Sequence, residues 1–154
     1  MDPSHVKTCR EHGRDAVVEA ARRWIGTPYH HQASLRGVGT DCLGLVRGVW
    51  LDLYGEPAES PPPYSRDWAE AARRETMLAA ASRHLRPVPT AEAGPGDVLI
   101  FRLRAGAAAK HAAILATPET MIHAMEGAPA AEVAFSPWWR RRVAQAYSFP
   151  GTTV

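Results

Sequence analysis

The chain has 154 residues, of which 45% are hydrophobic and 22% charged, and its 18 basic and 16 acidic side chains leave a formal net charge of +2. That length suits one domain with a real core, and the composition is that of a globular chain, not a disordered one. So balanced a charge gives no ground for nucleic acid as a partner, and no run approaches the roughly 18 apolar residues of a membrane span.

The first fifteen residues, MDPSHVKTCREHGRD, are polar and charged. They lack the apolar stretch of a signal peptide, so export by that route is not expected. Asp15 to Ile25 reads as an amphipathic helix, with Val17, Ala20, Ala21, Trp24 and Ile25 on one face, Asp15 as its N-cap and Gly26 followed by Thr27-Pro28 as its stop. His30 to Thr40 reads as a loop. A second helix is expected from Cys42 to Tyr54, capped by Asp41, ended by Gly55, and buried through Leu45, Val46, Val49, Trp50 and Leu53. ESPPPYS cannot be helical. A third helix is expected over Asp67 to Leu85, with Trp68, Ala72, Leu78, Ala81 and Leu85 facing inward, followed by the breaker PVPTAEAGPG.

Strand-like segments then take over: Asp97 to Leu103, His111 to Thr117, Thr120 to Met125 and Ala144 to Phe149. Helices first and strands second predict an α+β domain in which N-terminal helices pack on a C-terminal antiparallel sheet. A single domain is expected over 1–154, its core spanning about 15–150.

The cysteines are Cys9 and Cys42, too few for a disulfide framework and without the C-x-x-C spacing of a zinc site. If both are free, the protein is made in a reducing compartment. Cys42 falls in the first turn of the second helix. A free thiol is only about 3% thiolate at neutral pH. The unpaired N–H groups of a helix start favour the anion, lower its pKa and could also hold an oxyanion. The competing reading of Cys42 is a small buried hydrophobe.

His111 opens one strand and His123 lies on the next. A turn centred at Thr117 would set the two directly opposite. One centred at Pro118 would make them diagonal neighbours on one face. A two-residue loop at Pro118-Glu119 would put them on opposite faces. A catalytic pair therefore calls for an odd-length turn. On one face, His123 could orient His111 through a ring hydrogen bond as the third member of a nucleophile–base–orienter set. The competing reading of His123 is a half-buried polar residue bonded to a backbone carbonyl.

The stretch WIGTPYHHQASLRGVGTDCLGLV resembles the nucleophile region of the NlpC family of papain-like cell-wall peptidases; PGDVLIF is similar to that family's Pro-Gly-Asp strand, and HAAILATPETMIHAM to its histidine strands. The resemblance runs from about Val17 to Met125. It implies a papain-like fold, Cys42 as nucleophile, His111 as general base and His123 as orienting residue. It also places the Tyr29 hydroxyl near the oxyanion, although the ring could simply pack under the loop. Asp41 would contact a substrate amine or only cap the helix.

The implied substrate is the peptidoglycan stem peptide, at the bond between D-glutamate and diaminopimelate, and no cofactor is implied. Many members of that family carry serine where this chain has Leu43, which puts the substrate pocket in doubt. The variant DCLGLVRGVWLDLYG resembles small members encoded with phage or gene-transfer-agent tails. The expectation is then synthesis in a bacterial cytoplasm without a signal peptide, incorporation in a tail particle, and hub or baseplate proteins as partners. The alternatives are a structural tail component with a silent site, or an acyltransferase or other amidase.

Three further features carry weaker expectations. No carboxylate or cysteine completes a metal-ligand set with His30-His31. Trp138-Trp139-Arg140-Arg141-Arg142 is either a loop with partly packed tryptophans or a docking surface for a tail protein or an anionic envelope. Gly44 and Gly48 would let a strand approach the second helix.

Overall fold

The computed structural model describes residues 12–58 and 76–153. Strand β1 (His12–Gly13) leads into helix α1 (Arg14–Arg22); β2 (Ser34–Leu35) and β3 (Gly39–Thr40) form a small antiparallel hairpin; helix α2 spans Cys42–Tyr54 and helix α3 Thr76–His84. Then come β4 (Arg86–Val88), β5 (Val98–Phe101), β6 (His111–Thr117), β7 (Thr120–His123), β8 (Ala131–Ala134), the short helix α4 (Pro137–Arg140), β9 (Val143–Ser148) and β10 (Thr152–Thr153). Six strands make one antiparallel sheet in the order β4-β9-β5-β6-β7-β8. The architecture is the expected α+β arrangement, helices first and sheet second.

The sheet is buried on both faces at its centre. Val98, Ile100, Ala112, Ile114 and Ile122 face the helices, where they meet Val17, Ala21, Trp24, Leu45 and Val49. Leu99, Phe101, Ala113, Leu115 and Met121 face the other way, under Phe135 and Trp139. A strand covered on both sides reads as an unbroken apolar run, and VLIF of β5 is buried at every position.

Helix α2 has the boundaries and caps its sequence implies, with Asp41 at the N-cap and Gly55 in the left-handed conformation (φ 79°) at the C-cap. Leu45, Val46 and Val49 are buried, and Trp50 and Leu53 pack partly against the core. Helix α1 departs from expectation at both ends. Its N-cap is Gly13, Asp15 lies in the first turn, and the helix stops at Arg22. Trp24 is buried in the turn that follows, but Ile25 is 43% exposed, because past the helix end the 3.6-residue periodicity no longer sets its direction.

Within the described part of the third helix, Met77 is the buried residue of α3, Leu78 and Ala81 pack partly against the core, and Leu85 is buried beyond the helix end. The expected start at Asp67, with Trp68 and Ala72, and the ESPPPYS connector lie outside the described residues, as does Cys9.

Several short elements were not expected, among them the two-residue strands β1 and β10 and helix α4. The β2–β3 hairpin lies inside the segment read as a loop. Strand β4 includes Pro87 from the segment read as a breaker; it is an edge strand, where proline's missing N–H costs no ladder bond. Strand β8 is the other edge. Strands β5, β7 and β9 match the expected segments with no end moved by more than two residues, and β6 matches at both ends.

The two glycines of α2 serve purposes other than a strand's approach. A Cβ on Gly48 would overlap the Trp24 indole, and one on Gly44 would overlap the Ala33 carbonyl. They admit the Trp24 ring from the turn after α1 and the loop before β2, and so seat α2 against the chain that leads to it.

Candidate active site

Asp41 fixes the start of α2 from both sides. Its Oδ1 accepts from the Gly44 N–H at 2.7 Å and its Oδ2 from the Gln32 N–H at 2.8 Å, tying the preceding loop to the first turn. Cys42 is the first helical residue, and its thiol is free. The thiol donates to the Lys110 carbonyl, with Sγ 3.9 Å from the oxygen, while the N–H groups of Ala112, Leu43 and Cys42 itself face the sulfur. Lys110 and Ala112 flank His111, so the sulfur sits against the backbone that carries the histidine. Cys42 and His111 line one cleft, together with Tyr29, Asp41 and Leu43.

The expected electrostatics are overturned in sign. Burial and the Asp41 carboxylate push the Cys42 thiol up to about 12, although the three N–H groups pull the other way. Helix-start donors favour the anion here as the sequence implies, but they do not outweigh removing it from water beside a carboxylate. Burial, helped by His123, pushes His111 down to about 3, and burial lowers His123 as well. The resting site is therefore a neutral thiol beside neutral imidazoles.

His111 Nε2 and His123 Nδ1 are 2.9 Å apart, a hydrogen bond between buried rings set nearly perpendicular (81°). The route to this pairing differs from the expected one. Thr117 pairs with Thr120, so the turn is the two-residue Pro118-Glu119 loop, which alone would have sent the histidines to opposite faces. Beyond it the register shifts between Leu115 and Thr117, and Leu115 pairs with Met121 and Ile114 with Ile122. Ala116 is the extra residue of a β-bulge. It restores the parity, and the histidines become diagonal neighbours on one face.

Trp139 is part of this site, although nothing in its local sequence beyond an aromatic pair marks it. The WWRRR segment begins on helix α4 instead of forming a loop, and Trp139 turns inward while Trp138 is 44% exposed. The Trp139 indole stacks on His111 with ring centroids 5.4 Å apart and planes 28° apart, and meets His123 edge-on at 5.4 Å. Arg140 lies over the Phe135 ring and Arg142 over the Trp138 ring, so two of the three arginines are held against neighbouring aromatics.

Tyr29 is half-buried in the cleft, its backbone bridged to Thr40. His31, Lys110 and Glu126 add charge or polarity around the opening, and Leu43 and Met77 supply apolar wall. Among the described residues no group of three or more histidine, cysteine, aspartate or glutamate side chains could hold a metal ion, and no helix is long and apolar enough to cross a membrane.

The architecture is shared with solved proteins. The NlpC/p60 domain of the peptidoglycan hydrolase SagA aligns with a TM-score of 0.65 at 22% identity, over 90% of this chain and 100% of that one. An NlpC/P60 family protein from Bacillus cereus aligns at 0.66 and 18% identity, over 90% of this chain but 41% of its own. The peptidoglycan hydrolase RipB from Mycobacterium tuberculosis aligns at 0.58 and 18% identity, covering 96% of this chain and 67% of its own. These likenesses carry the papain-like fold. Comparison with curated protein sequences finds no match. The profile of the NlpC/P60 family matches residues 26–148, from the turn after α1 through the last residue of β9, and the chain belongs to that family.

Proposed function

We propose that the protein is a cysteine peptidase that hydrolyses amide bonds in peptidoglycan stem peptides, with Cys42 as nucleophile, His111 as general acid–base and His123 as the residue that orients it. The observation that carries the reading is the seating of the Cys42 sulfur against the backbone of His111, whose Nε2 is engaged by His123. That bond leaves His111 Nδ1 as the ring nitrogen available to the thiol. Family membership and the fold shared with SagA and RipB support the substrate class.

The Sγ proton passes to Nδ1 as sulfur attacks the amide carbonyl carbon. The C–N bond breaks as Nδ1 returns the proton to the leaving amine, giving a thioester. Water then loses a proton to Nδ1 and attacks the thioester, and the acid leaves as the thiol is restored. The N–H groups at the start of α2, with the Tyr29 hydroxyl, are the donors proposed for the oxyanion.

The scissile bond we assign is that between D-glutamate and diaminopimelate, and the route to the wall is carriage on a phage-like tail. The DCLGLVRGVWLDLYG segment supports the second point by its resemblance to tail-associated members. Digestion of purified peptidoglycan with mass analysis of the products tests both activity and bond. Wild type should release fragments with new D-glutamate termini, and Cys42→Ala none. Undiminished release by Cys42→Ala would sink the mechanism, and a different new terminus would reassign the bond.

One observation favours a second reading, a structural component with a silent site: the resting thiol is neutral and bonded to Lys110, not to the His111 ring. Wild-type protein that cleaves no peptidoglycan while still assembling into particles would establish it.

A further inference from the structure

We propose that Trp139 is the positioning residue of His111, holding the imidazole ring in place and stabilising its protonated form with the face of the indole. The proposal rests on the peptidase reading, since it concerns the moment at which His111 holds the Cys42 proton.

Transfer of that proton from Sγ to Nδ1 leaves a thiolate and an imidazolium, with His111 Nε2–H donating to His123 Nδ1. In many nucleophile–base pairs a carboxylate behind the base balances this charge. Here the group behind it is His123, a neutral imidazole that can accept a hydrogen bond but brings no negative charge. The other titratable groups around this space are Cys42 at the start of α2 and its N-cap Asp41, Lys110 just before β6, and Tyr29, His31 and Glu126 around the cleft. Asp41 has both carboxylate oxygens on backbone N–H groups.

The group stacked on His111 is Trp139. A near-parallel stack of 28° presents the electron-rich indole face to the imidazole, the geometry in which an aromatic ring attracts a cation. Phe101 also touches His111, at 5.8 Å and 40°, and meets Trp139 edge-on at 5.0 Å. Burial otherwise works against the charged ring, so a source of compensation inside the site is required.

Helix α4 is built to hold the indole there. Trp138 packs edge-on against Trp139 at 4.9 Å. Arg142 stacks 3.6 Å over the Trp138 ring and donates to the Trp138 carbonyl at 2.8 Å. Arg140 donates to the Pro118 carbonyl at 2.7 Å, in the turn that joins the two histidine strands. The cation of Arg142 is thus kept on Trp138, and the Trp139 face is left to the histidine.

The test compares Trp139→Phe, which keeps an aromatic face, with Trp139→Leu, which keeps apolar bulk alone. The main readout is the rate of Cys42 alkylation by iodoacetamide from pH 5 to 10, which needs no substrate and reports thiolate formed with help from His111. Thermal melts confirm that both variants fold. Trp139→Leu should slow alkylation near neutral pH by roughly tenfold, and Trp139→Phe by no more than about threefold, the range expected for one aromatic–cation contact. On peptidoglycan the loss should fall on kcat, with KM near wild type. Equal rates in all three proteins, or a loss as large in Trp139→Phe as in Trp139→Leu, would overturn the proposal. Because alkylation is independent of cleavage, a wild type that reacts at Cys42 but leaves peptidoglycan intact would fail the peptidase reading, not this one.

Discussion

Ala116 decides the relation between His111 and His123. As the bulged residue between Leu115 and Thr117, it turns a two-residue hairpin that would have separated the histidines into one that sets them diagonally on the same face, 2.9 Å apart through their ring nitrogens. The orienting role then has a direct test. His123→Ala leaves His111 Nε2 without its partner in a buried setting. Peptidoglycan cleavage should fall about 100-fold, in the range of a general-base defect. His123→Asn keeps an acceptor oxygen and should recover part of the loss. Initial rates of muropeptide release measure both, and a rate for His123→Ala within twofold of wild type would remove His123 from the mechanism.

Much of this arrangement was legible in the sequence. Helix α2 could be read to the residue because Asp41 and Gly55 mark its ends and Leu45, Val46 and Val49 its buried face. The β5, β6, β7 and β9 segments were legible as apolar runs. The bulge was not, since a single extra alanine in HAAILAT changes nothing in the apolar pattern. Nor was Trp139, whose place over the histidines follows from the path of the chain after β8, a short edge strand with a mixed burial pattern. The sign of the thiol's pKa also escaped, because local sequence shows the helix N–H groups but not how deeply the sulfur is buried or how close the Asp41 charge lies.

The site's protonation should shape stability against pH. Folded His111 stays neutral down to about 3, against 6.5 for an unperturbed histidine. As pH falls below about 6.5 the unfolded chain takes up a proton that the folded one refuses, so stability is lost in that window, by at most about 1.4 kcal/mol per pH unit from this group. On the alkaline side the Cys42 thiol is raised from 9.0 to about 12, so the unfolded chain loses its proton first and stability declines above about pH 9. Urea melts from pH 4 to 10.5 should show both limbs. Cys42→Ala should flatten the alkaline limb and His111→Leu the acid limb; an unchanged slope in the matching variant would contradict that assignment.

Gly48 should tolerate no side chain. Alanine at an ordinary helix position gains about 1 kcal/mol over glycine. At Gly48 the added methyl meets the Trp24 ring, itself held by a hydrogen bond from its Nε1–H to Asp52 at 3.0 Å. Moving the indole breaks that bond and the α1–α2 contact, so Gly48→Ala should destabilise by a net of about 2 kcal/mol. Equilibrium unfolding in urea measures it, and a stabilised Gly48→Ala would show that the two helices can separate at little cost.

Asp41 combines two effects that one substitution can part. Its carboxylate caps α2 and binds the Gln32 N–H, and its charge raises the neighbouring thiol. Asn is an equally good N-cap, so Asp41→Asn keeps the Gly44 bond while its amide nitrogen faces the Gln32 N–H, a loss of about 1 kcal/mol. Asp41→Ala abandons both bonds and should cost about 2 kcal/mol or more. Both remove the negative charge, so both should speed iodoacetamide alkylation of Cys42 at pH 8 to 9 several-fold over wild type. If Asp41 also recognises a substrate amine, Asp41→Asn will raise KM for peptidoglycan fragments despite the more reactive thiol. If it only caps, KM will stay at the wild-type value. Alkylation no faster in either variant than in wild type would refute the electrostatic coupling between Asp41 and the nucleophile.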